Sequence, residues 1–243
     1  MSYTLRRPAA AGARTPREEI AAIIAQRRFA LALQPVVGVH TRARDHAEVL
    51  LRLAAPLTQP PRAFVAAAEA AGLGAELDAA VLTMARGLPP PLSVNVCARS
   101  LQQRDFVRIA LDAGATAIEL TRIDAVDDLG AVAAGIAELR ACAVRVALDE
   151  VDGAAASLAL LQAARFDALK IAGSVVRGAM AGERGRTLLA HLLRLAAAVG
   201  ARTIATQIET LPQLWAMQRA GADLAQGWLL GAPVMPAEAN ITA

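Results

Sequence analysis

Polar side chains interrupt almost every apolar run of the sequence that could form a β-strand. They are Glu48 in AEVLLRL, Asn95 in LSVNV, Glu119 in AIELT, Asp149 and Glu150 at the end of VRVALDE, Lys170 in ALKI, Glu209 at the end of TIATQIE, and Gln226 in the last run. If the strand ends meet at one mouth, five carboxylates and the carboxamides of Asn95 and Gln226 lie near a single lysine there. Such a set repels itself unless divalent cations neutralise it, and oxygen ligands suit Mg²⁺ or Mn²⁺.

Each of these residues, considered alone, also has an explanation that needs no site. A carboxylate at a strand end is often a helix N-cap or a solvated rim group. Lys170 could pair with Asp167, and Asn95 could hydrogen-bond the neighbouring backbone. The three histidines share no metal-ligand spacing and are expected in loops or on the surface. One polar group on nearly every strand end is harder to explain in these ways, so the set is interpreted as a site.

The apolar runs themselves predict eight short strands separated by helical segments. The predicted strands are 30–39, 47–53, 92–96, 117–121, 143–148, 168–171, 203–208 and 224–227. Eight strands alternating with helices are typical of a closed barrel. Only the loop 38–45 joins the first two strands, which is too short for a helical crossover, so they are expected to be antiparallel. The predicted fold is α/β, a modified TIM (βα)8-type barrel with an antiparallel first strand.

Apolar residues at three- and four-residue spacing predict the intervening helices. They are 62–71, 75–86, 99–112, 125–139, 154–164, 185–199 and 211–220. A further short helix is expected after Thr15, with Pro16 at its first position and Glu18 completing a capping box.

The composition favours one domain built from small aliphatic side chains. Of the 243 residues, 56% are hydrophobic and 3% aromatic, and this length suits one α/β barrel. The net charge of +3 is too mild to indicate a nucleic-acid polymer as partner, and no apolar run approaches the roughly 20 residues that span a bilayer. Two cysteines make no disulfide framework, so a cytoplasmic location is expected. Residues 1–16 are expected to be a flexible leader, and 17–243 the domain.

The order of the motifs resembles the EAL family of cyclic di-GMP phosphodiesterases, from about Phe29 to Glu238. The matching segments are FALALQPVV, AEVLLRL, FVAAAEAAGL, LSVNVCARSL, IELTR, ALDEVDGAAASL, FDALKI, IATQIET and DLAQGWLLGAPV. Members of that family use two divalent cations to activate a water and neutralise the scissile phosphate, while one ester of the cyclic dinucleotide is opened to linear pGpG.

The resemblance implies a role for each polar residue. The metal ligands would be Glu48, Asn95, Glu119, Asp149 and Glu150. The catalytic set would be Glu48, Glu150, Lys170 and Glu209, with Lys170 orienting the water or steadying phosphate charge. The residues around the nucleotide would be Gln34, Arg52 and Gln226, with Arg52 on a phosphate. The implied cofactor is Mg²⁺ or Mn²⁺, as two ions in an intact member.

Some positions depart from the family's pattern. Arg122 stands where the second Glu of the family's ExTE motif anchors the following loop by accepting hydrogen bonds, and arginine has donors only. Its guanidinium is also expected to compete for Glu119. In the loop DEVDGAAASL, Asp152 and Ala154 replace two glycines of the family, and Glu150 is one bond longer than the aspartate it replaces.

Further departures remove acids from the mouth. Ala172 replaces the Asp of the family's KID pattern, and Thr206 and Gln207 replace Glu-Gly in AEGVE. These changes favour a degenerate EAL domain that binds cyclic di-GMP as a signalling receptor, with weak or no hydrolysis. The alternative is an active Mg²⁺- or Mn²⁺-dependent phosphodiesterase that produces pGpG. A third hypothesis is a ligand-free protein-interaction scaffold, and a homodimer or a protein partner is left open.

Overall fold

Eight strands close into one barrel, in chain order, in the computed structural model, which describes residues 15–53, 60–103 and 105–236. They are β1 (Phe29–Gly38), β2 (Arg44–Leu53), β3 (Leu92–Cys97), β4 (Ala117–Thr121), β5 (Arg145–Val151), β6 (Ala168–Ile171), β7 (Arg202–Ala205) and β8 (Leu224–Ala225). Strand β1 is antiparallel to both β2 and β8, and every other neighbouring pair is parallel. The predicted barrel with an antiparallel first strand is confirmed.

Helices cover the outside of the barrel. Those in the described ranges are α1 (Pro16–Ala25), α2 (Pro61–Ala70), α3 (Gly74–Ala85), α4 (Phe106–Asp112), α5 (Leu129–Ala141), α6 (Ala155–Ala163), α7 (Gly173–Ala181), α8 (Glu183–Ala198) and α9 (Leu211–Ala220). Helix α1 begins with the predicted capping box, in which Thr15 accepts from the Glu18 N–H and the Glu18 carboxylate accepts from the Thr15 N–H. Residues 1–14 of the predicted leader lie outside the described residues. No helix in the described part of the chain is long and apolar enough to cross a bilayer.

Strand alternation separates an aliphatic face from a polar one. Val94, Val96, Ile118 and Leu120 are buried in the hydrophobic core, together with the side chains of the surrounding helices. The register pairs Gln34 with Glu48, Glu48 with Ser93, and Asn95 with Glu119. The polar residues of neighbouring strands are therefore brought side by side.

Three element predictions need correction. The predicted helix 99–112 is a short 3₁₀ segment at Ala98–Gln102 followed by α4. Helix α5 begins at Leu129, not at 125, because Asp128 is its N-cap and accepts from the Ala131 N–H at 2.9 Å. Helix α7 was not predicted, because its short sequence GSVVRGAMA contains two glycines and ends at a third.

Strand β7 is also shorter than predicted, ending at Ala205 and not at 208. Gln207 has a left-handed φ of +57°, which ends the extended backbone. Thr206 is tied to β6, since both its N–H and its hydroxyl donate to the Ile171 carbonyl.

Candidate functional site

Lys170, the only lysine of the chain, lies in the middle of a buried acidic cluster. Its Nζ donates to Glu48 Oε2 at 3.0 Å and to Glu119 Oε2, and lies 3.5 Å from Asp149 Oδ1. Strands β2, β4, β5 and β6 each contribute one of these four residues. The structure thus brings together, around one ammonium group, side chains that are up to 122 positions apart in the sequence.

The charges of this cluster are unequally balanced. Burial raises the pKa of Glu119, but Lys170, His46 and Ser93 outweigh it and lower the pKa to about 2. Burial and the neighbouring Glu119 charge raise the pKa of Glu48, and burial likewise raises the pKa of Asp149, more than Lys170 lowers either. Although burial opposes it, the three carboxylates raise the pKa of Lys170 well above its ordinary value. One lysine therefore satisfies Glu119 and leaves the other two carboxylates short of positive charge.

Glu48 also accepts hydrogen bonds from two carboxamide side chains. Asn95 Nδ2 donates to Glu48 Oε1 at 2.5 Å, and Gln226 Nε2 donates to Glu48 Oε2 at 2.6 Å. Gln226 also lies 3.3 Å from Gln34 Oε1, and Gln34 donates to the Gly231 carbonyl at 3.1 Å. Strands β1, β2, β3 and the end of β8 are thereby joined at Glu48, and every donor in this set was a predicted site residue.

Two residues next to Glu119, Ser93 and His46, were not predicted from the sequence as part of the site. Ser93 Oγ donates to Glu119 Oε1 at 2.7 Å, and His46 Nε2 lies 3.9 Å from the same oxygen. His46 Nδ1 bonds Asp45 at 2.8 Å. His46 is buried, so the expectation that the histidines lie in loops or on the surface is wrong for this one. Strand alternation could have found both residues, because each lies two positions before a site residue, Glu48 or Asn95.

Two predicted catalytic residues lie away from the cluster. Glu150 has a left-handed φ of +51°, its side chain is 63% exposed, and it forms a 2.5 Å ion pair with Arg62 Nη2 on α2. Glu209 lies four residues beyond the end of β7 and is exposed, and its backbone N–H donates to Gln213 on α9. Glu209 was predicted from a strand that ends at Ala205, whereas Glu150 lies within β5, where its left-handed backbone redirects the side chain.

Arg122 pairs with helix α2 and not with Glu119. Its Nε lies 3.2 Å from Glu69 Oε2 and 3.8 Å from Asp124 Oδ1. The expected competition for Glu119 is therefore wrong. The reason is the backbone, since Arg122 has a left-handed φ of +54° directly after β4, whereas Glu119 lies within the strand and faces Lys170.

Neutral residues, Ala172 and Thr206, stand at the positions of the two missing acids. Ala172 is the N-cap of α7, without a side-chain hydrogen bond. The Thr206 hydroxyl donates to the Ile171 carbonyl at 2.9 Å. Gln207 Oε1 accepts from Arg177 Nη1 at 2.5 Å. No carboxylate is therefore supplied at 172 or 206, where the family's pattern has an acid, and Gln207 stands where that pattern has glycine.

An open cavity of about 750 Å³ lies at the mouth beside this cluster. Glu48, Asn95 and Asp149 line it, as do three arginines, Arg52, Arg62 and Arg122. Arg52 is half-buried and donates to the Leu51 carbonyl at 2.8 Å, but it has no carboxylate partner within residues 15–53, 60–103 and 105–236. A cavity of this size suits a small organic ligand, and an unpaired half-buried guanidinium suits an anionic one.

Comparison with known proteins shows the family of the chain. The family model of the EAL domain matches residues 17–233. The chain belongs to the EAL domain family. A cyclic di-GMP phosphodiesterase of Pseudomonas aeruginosa is 26% identical over 88% of this chain and 40% of its own length, and the cyclic di-GMP phosphodiesterase NbdA of the same organism is 26% identical over 89% and 30%. This EAL domain thus spans well under half the length of these relatives.

Solved EAL structures share the fold. The PaMucR phosphodiesterase in complex with cyclic di-GMP superposes with a TM-score of 0.80 at 23% identity, over 92% of this chain and 98% of that one. The FimX EAL domain from Pseudomonas aeruginosa bound to cyclic di-GMP gives a TM-score of 0.78 at 23% identity, over 90% and 96%.

Some side chains at the mouth of this EAL domain have the chemistry to hold a divalent ion. Among the described residues, no three carboxylate, imidazole or thiolate groups are arranged as a ready-made metal site. The oxygen-bearing side chains that line the cavity include Glu48, Asn95, Asp149 and Glu150, and Mg²⁺ is commonly held by one or two carboxylates plus waters and ligand phosphates. Glu150, which also lines the cavity, pairs with Arg62, and neutral residues stand at 172 and 206.

The floor of the cavity carries a buried aspartate that predicts a pH effect. Asp78 on α3 accepts from the Cys97 N–H at 2.8 Å and from Ser100 Oγ at 2.6 Å, yet burial raises its pKa from 3.8 to about 7. The folded state therefore takes up a proton at a pH where the unfolded state does not, so Asp78 adds stability below pH 3.8 that is lost as the pH rises through about 7. Over this pH range the contribution of Asp78 to the free energy of unfolding falls by about 4 kcal/mol.

Asp78→Asn should therefore flatten the dependence of the unfolding free energy on pH between about 4 and 7, since an asparagine oxygen accepts both bonds without titrating. Urea unfolding followed by circular dichroism at several pH values measures this slope. The matched control is Asp112→Asn. Asp112 is an exposed aspartate on α4 that pairs with Arg108 of that helix. An unchanged slope in Asp78→Asn would show that another group carries the effect.

Proposed function

We propose that this EAL domain is a receptor for cyclic di-GMP that hydrolyses the ligand weakly or not at all. The proposal rests on one observation, that some of the predicted site residues lie in one connected network and others do not. Glu48, Asn95, Glu119, Asp149, Lys170, Gln34 and Gln226 form one connected network, whereas Glu150 and Glu209 lie outside it. In this proposal the network holds the ligand, and the positions of Glu150 and Glu209 outside it leave a second ion with fewer ligands.

Recognition would rest on the charges at the cavity. Arg52 would bind one phosphate, because its guanidinium has no carboxylate partner in the described residues and its fork matches phosphate oxygens. Glu48, Asp149 and Asn95 would hold one Mg²⁺ or Mn²⁺. When bound, that ion would neutralise phosphate charge beside carboxylates that otherwise repel it.

Hydrolysis by the two-ion route requires both the attacking and the leaving oxygen to be stabilised. Binding tolerates the loss of one such contact far better than catalysis does, because catalysis depends on preorganised charge. Lys170 is already engaged by three carboxylates, so it cannot replace the missing ion.

An active phosphodiesterase is the second candidate. Its support is the intact group of Glu48, Asn95, Glu119, Asp149 and Lys170, together with the named activity of the relatives. A homodimer or a protein partner also stays a proposal.

One experiment separates the two candidates. Purified protein is titrated with cyclic di-GMP by calorimetry in Mg²⁺, in Mn²⁺ and in EDTA, and pGpG is followed by chromatography. We expect binding in all three solutions, tightest with a divalent ion, and little or no pGpG. Glu48→Gln should remove most of the ion dependence, and Arg108→Gln, on the exposed face of α4, is the matched control. Steady pGpG release that Glu48→Gln abolishes would establish the enzyme instead, and an absence of binding would exclude both candidates.

A further inference from the structure

Two arginines line the cavity on either side of strand β3. Arg52 lies on β2, and Arg122 directly follows β4. Strand β3 pairs with both of these strands and carries Asn95, one of the groups proposed to hold an ion. A ligand at the mouth with two separate phosphates would therefore meet a guanidinium on each side of Asn95.

The position of Arg122 is fixed by two features. Its left-handed backbone is unusual for a residue with a side chain and marks a conformation that the surroundings must support. Its Nε lies 3.2 Å from Oε2 of Glu69, whose side chain is only 9% exposed. A buried carboxylate strongly favours a nearby cation, so Glu69 holds the Arg122 side chain over the cavity.

The far end of the Arg122 guanidinium is still available for binding. Its closest approaches to Glu69 and Asp124 both come from Nε, and Arg122 donates no hydrogen bond to any residue that the structure describes. The side chain is 43% exposed and lines the cavity. Two terminal nitrogens with their donors unused are the geometry that binds phosphate oxygens in pairs.

We propose that Arg122 binds a phosphate of the cyclic dinucleotide, as the counterpart of Arg52 across β3. The inference rests on the proposed receptor function and assigns the second phosphate contact to a residue whose position in the family's pattern carries an acid. In this domain the guanidinium supplies positive charge at the cavity that it lines. Arg122 is thus a determinant of ligand affinity, and Glu69 is the residue that positions it.

The test is calorimetric titration with cyclic di-GMP in Mg²⁺ for wild type, Arg122→Gln, Arg122→Glu and Arg108→Gln. Loss of one charge-assisted phosphate contact predicts that Arg122→Gln binds about 10-fold more weakly, or worse. Arg122→Glu should bind more weakly still, since it faces the phosphate with a negative charge. Arg108→Gln should bind as the wild type does. Arg52→Gln combined with Arg122→Gln should be additive in free energy if each arginine holds its own phosphate. Thermal unfolding of each variant checks that it is folded.

Arg122→Glu gives the sharpest outcome. It restores the acid of the family's pattern, so tighter binding in this variant would show that the position is an anchor and would overturn the phosphate contact. Arg122→Gln with unchanged affinity would also overturn it, while wild-type binding would keep the receptor function intact. Wild-type protein that binds no cyclic di-GMP would remove the receptor function and this inference together.

Discussion

Lys170→Met should lower the free energy of unfolding by about 3–5 kcal/mol at pH 8, the usual cost of removing one partner from a buried ion pair. Methionine is close to lysine in length, so the packing is largely kept and the loss of stability comes from removal of the charge. Without the ammonium group, Glu48, Glu119 and Asp149 face one another in a site where Lys170 itself is only 3% exposed. Urea unfolding followed by circular dichroism measures the change.

The same variant should regain stability as the pH falls. Carboxylates that lose their cation have raised folded-state pKa values, so the folded protein takes up protons that the unfolded chain does not, and this stabilises it below those values. The matched control is Arg108→Met, an exposed cation on α4, which should stay within about 0.5 kcal/mol of the wild type. Equal stability of Lys170→Met and wild type at pH 8 would contradict the expectation that the Lys170 charge stabilises the three buried carboxylates around it.

Ala172→Asp combined with Thr206→Glu should raise pGpG release by about 10-fold or more, because it returns two acids to the mouth of the barrel and ligand shells of metals tune activity by such factors. The backbone should accept the first change without distortion. Ala172 is already the N-cap of α7, with φ −57° and ψ 141°, and aspartate is a favoured residue there. Chromatography of pGpG formed from cyclic di-GMP in Mn²⁺ measures the gain.

Ala172→Asn with Thr206→Gln is the control for this pair, since it adds the cap and the side-chain volume without the charge. It should show no gain in turnover. If the acidic double variant binds the ligand and still releases no more pGpG than the control, the missing acids do not limit hydrolysis. The altered loop that begins at Glu150 would then be the next candidate to test.

The parts of the site that lie inside strands could be predicted from the sequence. Glu48, Asn95, Glu119 and Lys170 were predicted because a polar residue within an apolar strand interrupts a regular alternation, and the register brings such residues together. Ser93 and His46 obey the same alternation and could have been added from it.

The parts where the backbone is irregular or the strand has ended could not be predicted in the same way. Glu150, Arg122 and Gln207 all have a left-handed backbone, and such a conformation redirects a side chain without leaving a periodic signal in the sequence. Glu209 was assigned to a strand that ends at Ala205. The pairing of Arg122 with Glu69 depends on a contact between β4 and α2, which no local pattern encodes.

Because the chain contains one lysine, its charge cluster can be observed in isolation. Protein grown with isotopically labelled lysine gives a single side-chain ammonium signal in a nuclear magnetic resonance spectrum, and that signal comes from the group shared by Glu48, Glu119 and Asp149. Arrival of a divalent ion or of a nucleotide phosphate changes the field at this nitrogen directly. The sequence thus provides a built-in reporter of the occupancy of its own site, free of overlap from any other lysine.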